Sequence, residues 1–228
     1  MAAKSKVAHI KRTLVGEIIR AQNMTHAVQA LPRWSPQNTI NTIHTKHVNQ
    51  IIELAFMGMV SAWEEFLEAS LVRYMTGAQA ANGYCPTPKY GRAKDLNHAY
   101  EILSHDPDYK RSKDYLKVTE PRGVWRTADF FFSAHPYGAL NGKEGLIRHA
   151  SAIRNRVAHN SEKCKQSFKT TACALLATKQ LTSGYQPGTL LTTPIQRAFP
   201  ASYVARGLSH FDAFAELYED LAKIIVPD

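Results

Sequence analysis

The chain has 228 residues, 44% hydrophobic and 21% charged, a balance that supports a buried core and excludes wholesale disorder. Its net charge is +9. Such an excess attracts phosphates and makes nucleic-acid binding salt-dependent, although an ordinary basic soluble protein carries it too.

The charge is uneven: residues 1–50 carry +6, residues 51–88 carry −3, residues 89–169 carry +7 and residues 170–228 carry −1. Cys85, Cys164 and Cys173 form no CxxC pair, which predicts a reducing cytoplasm with no disulfide frame and no zinc knuckle. The opening residues, MAAKSKVAHIKRTLVGEIIRAQ, lack the apolar run of a secretory signal. No stretch approaches the ~20 apolar residues needed to cross a bilayer. The densest, Leu54 to Trp63, reads as buried helix, so no membrane partner is expected.

Along the chain, residues 4–30 read as a helix on Val7, Ile10, Leu14, Ile18 and Ile19, broken by Leu31-Pro32-Arg33-Trp34-Ser35-Pro36. Residues 1–40 are either an arm or the first helix of a bundle, and residues 41–228 form the main helical domain. The strongest pattern runs from Thr42 to Met75. There Ile52, Phe56, Met59, Trp63, Phe66, Ser70 and Tyr74 recur at three- and four-residue steps, before Thr76-Gly77 ends the helix. Glu64, Glu65 and Glu68 lie beside Trp63 and read as a solvated face.

Residues 78–91 read as a loop. Ala93 to Leu103 reads as a helix, and the loop after it is basic through Lys110, Arg111, Lys113 and Lys117. The aromatic segment Val124 to Ala134 is expected to be helical. Gly145 to Asn160 is a helix with Leu146, Ile147, Ala150, Ile153 and Val157 as its buried stripe. Ser161 to Leu176 is expected to begin irregularly and continue as helix. Thr189 to Thr193 is expected to form a short extended piece, and Ser202 to Val226 a closing amphipathic helix stopped by Pro227. The fold class is therefore all-α, a bundle of about five to seven helices.

The chemistry concentrates in Arg154-Asn155-Arg156-Val157-Ala158-His159. A permanent cation can balance the added negative charge on a phosphorus under attack, and an imidazole can move a proton near neutral pH. These are the groups needed to cut RNA without a metal. The bare spacing of Arg and His also occurs at Arg20/His26 and Arg92/His98, but there Ala follows the Arg, whereas Asn155 follows Arg154. Arg154 and His159 project about 140° apart on an ideal helix, while Asn155 and His159 share a face. Other groups are poorer candidates. His44 and His47 have no neighbouring carboxylate or Cys to complete a metal site. Neither a phosphate-cradling glycine loop nor a G-x-S-x-G elbow occurs, so no cofactor is expected.

Ile153 to His159, together with Ser61-Ala62-Trp63-Glu64-Glu65-Phe66-Leu67-Glu68 on the long early helix, resembles the RiboL-PSP-type branch of the HEPN superfamily. The likeness is close over those two stretches, loose over residues 43–226, and absent from the first 40 residues. It implies a helical bundle that dimerises, with two copies of the motif meeting across a cleft. It also implies a metal-independent endoribonuclease of single-stranded RNA, acting as a toxin or antiviral defence factor. Arg154, His159 and Asn155 would be catalytic, and Arg156, His149 and Lys163 would bind RNA. An antitoxin or regulator is a further implied partner. Where relatives are silenced by nucleotidyl transfer, the acceptor is a Tyr near the motif; here the nearest downstream is Tyr185. The other reading is a non-catalytic module that binds RNA, nucleotide or a partner protein through the same basic surface.

Overall fold

The computed structural model describes residues 6–110 and 121–228. Arg111, Lys113 and Lys117 of the basic loop lie outside the described residues. Among the described residues the protein is all-α, with nine α-helices, one 3-10 turn and a single two-stranded pairing. The helices are α1 (Ala8–Ala30), α2 (Thr45–Met75), α3 (Leu96–Ser104), α4 (Pro121–Phe131), α5 (Glu144–Ala158), α6 (Glu162–Leu175), α7 (Pro187–Thr192), α8 (Ala201–Ala205) and α9 (His210–Ile225). Two of them, α7 and α8, are only six and five residues long, so the count exceeds the expected five to seven by short pieces. Among the described residues no helix is long and apolar enough to cross a membrane.

Local chemistry sets several boundaries. The 31-residue α2 contains no Pro and ends where Gly77 takes a left-handed turn at φ 81°. Asp95 caps α3 by accepting from the His98 N–H at 2.9 Å. Ser161 caps α6 through the Cys164 N–H at 3.3 Å, so α6 starts at once rather than after irregular chain. At α9, Ser209 Oγ accepts the Asp212 N–H at 3.1 Å and donates to the Asp212 carboxylate at 2.7 Å. That cap, with Gly207 at φ 65°, divides the expected closing helix into α8 and α9.

Residues 189–193 correct an expectation. They lie in α7 and its C-cap, because Pro187 starts the helix and Gly188 packs tightly on α2. The extended pairing lies elsewhere: β1 (Thr87–Pro88) runs antiparallel to β2 (Phe132–Ala134). The expected helix to Ala134 therefore stops at Phe131.

The chain divides into two compact units. The first comprises Met1–Val15 (described from Lys6 onward), Ala62–Glu144 and Glu219–Asp228. Its core gathers Trp63, Phe66, Leu71 and Tyr74 of α2 with Tyr137, Phe132 and Ile225, all at most 1% exposed. Two polar contacts lie inside it: Tyr74 donates to the Ile225 carbonyl at 2.8 Å, and Ser70 and Tyr137 share a 2.9 Å hydroxyl contact. The second unit comprises Gly16–Ser61 and Gly145–Tyr218. Its core sets Phe56 edge-on to Phe211 and Phe214, at 5.9 and 5.5 Å between centroids, and Ile147, Ala150 and Ile153 of α5 are buried in the same unit.

Candidate functional site

The motif lies in the second unit, at the C-terminal end of α5. Burying Ile147, Ala150 and Ile153 at three-residue steps fixes which way this helix faces. Arg154, Asn155 and Arg156 are then half-buried, and His159 is exposed. His159 is the first residue beyond the helix, and its N–H closes the last turn on the Asn155 carbonyl at 2.9 Å.

Arg154 Nη1 donates to Asn155 Oδ1 at 3.1 Å. Asn155 thus spends its acceptor on the neighbouring guanidinium and keeps its two amide donors. Arg156 Nη1 reaches the His159 carbonyl at 3.5 Å, the outer limit of a hydrogen bond, and brings positive charge to the negative end of the helix. The imidazole of His159 has no hydrogen-bond partner among the described residues. Lys163 stands exposed in the first turn of α6, three residues after Asn160.

His149 is placed differently. Its Nδ1 lies 3.2 Å from the hydroxyl of the buried Thr171, so it fastens α5 to α6. Burial, aided by the adjacent Arg148, lowers its pKa from the usual histidine range. A neutral, half-buried ring is a poor phosphate ligand. Trp63-Glu64-Glu65-Phe66 belongs to the first unit. There Trp63 is core and Glu68 accepts the Tyr100 hydroxyl at 2.8 Å, so the reading of these acids as a solvated face holds for exposed Glu65 and not for Glu68.

One acidic residue beside the motif was not among the expected site residues. Glu53 of α2 accepts the Gly188 N–H at 2.8 Å. Burial pushes its carboxyl above the usual range, while the Gly188 N–H and the charge of Arg156 oppose that rise. The contact exists because α7 comes very close to α2: a Cβ on Gly188 would sit 2.6 Å from Asn49 Cβ. Asn49 also donates to the Thr189 hydroxyl at 3.2 Å. No one-dimensional pattern marks Glu53, since its significance comes from α7 folding onto the turn between Asn49 and Glu53.

Comparisons with protein-family models, curated proteins and solved structures find no match to this chain.

Proposed function

We propose that the protein is a metal-independent endoribonuclease of the HEPN type, working on single-stranded RNA as a homodimer. The observation that carries this reading is the grouping of Arg154, Asn155, Arg156 and an exposed, unbonded His159 at one helix end. In the proposed reaction an imidazole takes the proton of a ribose 2′-hydroxyl. The freed oxygen attacks the adjacent phosphorus, the bond to the 5′-oxygen breaks, and a second imidazole returns a proton to that leaving oxygen. Base and acid are then His159 from two copies related by a two-fold axis. Arg154 neutralises charge on the non-bridging oxygens, and Asn155 offers its amide donors to a phosphate or to the imidazole. Arg156 and Lys163 hold the backbone. The products are a 2′,3′-cyclic phosphate and a 5′-hydroxyl.

A cytoplasmic toxin or defence factor, held in check by an antitoxin or regulator, is the role that the family resemblance suggests. The test is to incubate the purified protein with single-stranded RNA in excess chelator and map the product ends. Cyclic phosphate ends support the reading; 3′-hydroxyl ends or no cleavage contradict it.

One observation favours a second reading, a module that binds RNA and cuts nothing. A general base is ordinarily held in its tautomer by a second group, and among the described residues the His159 imidazole has none. Tight, salt-sensitive binding without product, unchanged in His159→Ala, would select it.

A further inference from the structure

We propose that Trp34, stacked on His44 and flanked by His47 and Lys46, is a platform on which an unpaired base of single-stranded RNA docks. The inference takes its ligand from the nuclease reading but rests on different residues. Trp34 is 47% exposed, an unusual position for the largest apolar side chain. One face of its ring lies on His44, with centroids 5.5 Å apart and planes 20° apart. His47 meets His44 edge-on at 6.3 Å. All three rings are exposed, as is Lys46 between the two histidines.

The segment carrying these rings is fastened on all sides. The Trp34 N–H donates to the Ile43 carbonyl at 3.0 Å, and the Ile43 N–H returns to Pro32 at 2.9 Å. Ser35 and Asn38 exchange backbone hydrogen bonds at 3.1 and 3.0 Å. Arg33 spends its guanidinium on the carbonyls of Val28, Gln29 and Leu31 at the end of α1. The histidines are held too, with His44 Nδ1 against the Lys46 N–H at 3.4 Å and His47 Nδ1 against Gln50 at 3.1 Å. An indole presented to water on such a support loses little freedom when a flat ring stacks on it.

The ligand follows from the chemistry. Bases in single strands offer bare π-faces and are bound by stacking with little regard to sequence, next to cations that follow the backbone. Lys46, exposed between the two histidines, supplies such a cation beside the ring. A metal is the poorer occupant, because no third His, Cys, Asp or Glu joins the two histidines among the described residues.

The experiment titrates the full chain into a labelled single-stranded 2′-O-methyl oligoadenylate of about 12 nucleotides, which presents bases on an uncleavable backbone. The same strand annealed to its complement serves as the second probe. We expect Trp34→Ala to weaken single-strand binding roughly tenfold or more and Trp34→Phe to keep most of the affinity. Duplex binding should be the same in all three proteins. Circular dichroism confirms folding, which an exposed side chain does not control. Wild-type affinity in Trp34→Ala overturns the platform, as does loss of self-association with strand affinity intact, which would make this face a protein interface. Trp34-dependent binding without RNA cleavage preserves the platform and sinks the nuclease. Cleavage with unchanged KM in Trp34→Ala does the reverse.

Discussion

Arg154 and Asn155 are bound to each other through the guanidinium Nη1 and the amide oxygen, 3.1 Å apart, although they are consecutive residues on one helix. That hydrogen bond favours one orientation of the guanidinium over the others. The polar residue after the Arg therefore orients the cation as well as offering its own donors. Asn155→Ala should leave stability within about 0.5 kcal/mol, as for a substitution outside the core. If the nuclease reading is right, it should lower kcat/KM roughly 10²-fold through misplacement of the guanidinium. Steady-state kinetics beside a urea melt check both.

Gly188 and Glu53 make a packing prediction. Gly188→Ala drives a methyl into Asn49, whose backbone oxygen stands only 2.8 Å from the new Cβ position. We expect a loss of about 1–3 kcal/mol. Glu53→Ala strands the Gly188 N–H and should cost about 1–2 kcal/mol. Because both substitutions loosen the same contact between α2 and α7, the double variant should lose less than the sum. Chemical denaturation of all three variants decides it.

One buried histidine, His210, and one half-buried, His149, contribute to the acid response. Burial lowers the pKa of His149 and of His210, whose Nδ1 lies 2.7 Å from the Thr193 carbonyl. The folded protein resists their protonation and the unfolded chain does not. Between each lowered folded value and the ordinary 6.5, the unfolded state binds more protons. Stability should therefore fall as pH drops through that window and level off below it. His149→Gln, which can still bond Thr171, should flatten the slope by at most about 1.4 kcal/mol per pH unit. Urea midpoints across the window measure this; an unchanged slope contradicts it.

Salt dependence separates the cations. If Arg156 and Lys163 each hold one phosphate, replacing either by Ala should reduce the slope of log K against log salt by about 0.7 for single-stranded RNA. His149→Gln should leave that slope unchanged. Binding isotherms at four or more salt concentrations distinguish the three.

Much of the helical frame was legible because it follows from periodicity. The aromatic and aliphatic stripe from Ile52 to Tyr74 marked α2, and Ile147, Ala150 and Ile153 marked the face that α5 buries. Legibility failed where tertiary contact outweighs local preference. Thr189 to Thr193 has the look of a strand, but Gly188 against Asn49 and the Glu53 carboxylate on its N–H make the segment helical. β1 and β2 are two and three residues long, too short for alternation to show. At the motif, residue types pointed to Arg154, Asn155 and His159, but the chain's exit from helix at His159 needed coordinates. So did the Thr171 contact that gives His149 a structural task and the approach of Glu53 to Arg156.

The most direct measurement is cleavage of a labelled single-stranded RNA in excess chelator by wild type, Arg154→Ala and His159→Ala, each shown to be folded. Wild type should cut the strand, and both variants should lose at least about 10²-fold in rate. Undiminished cutting by either variant contradicts the assignment of guanidinium and imidazole to one reaction centre.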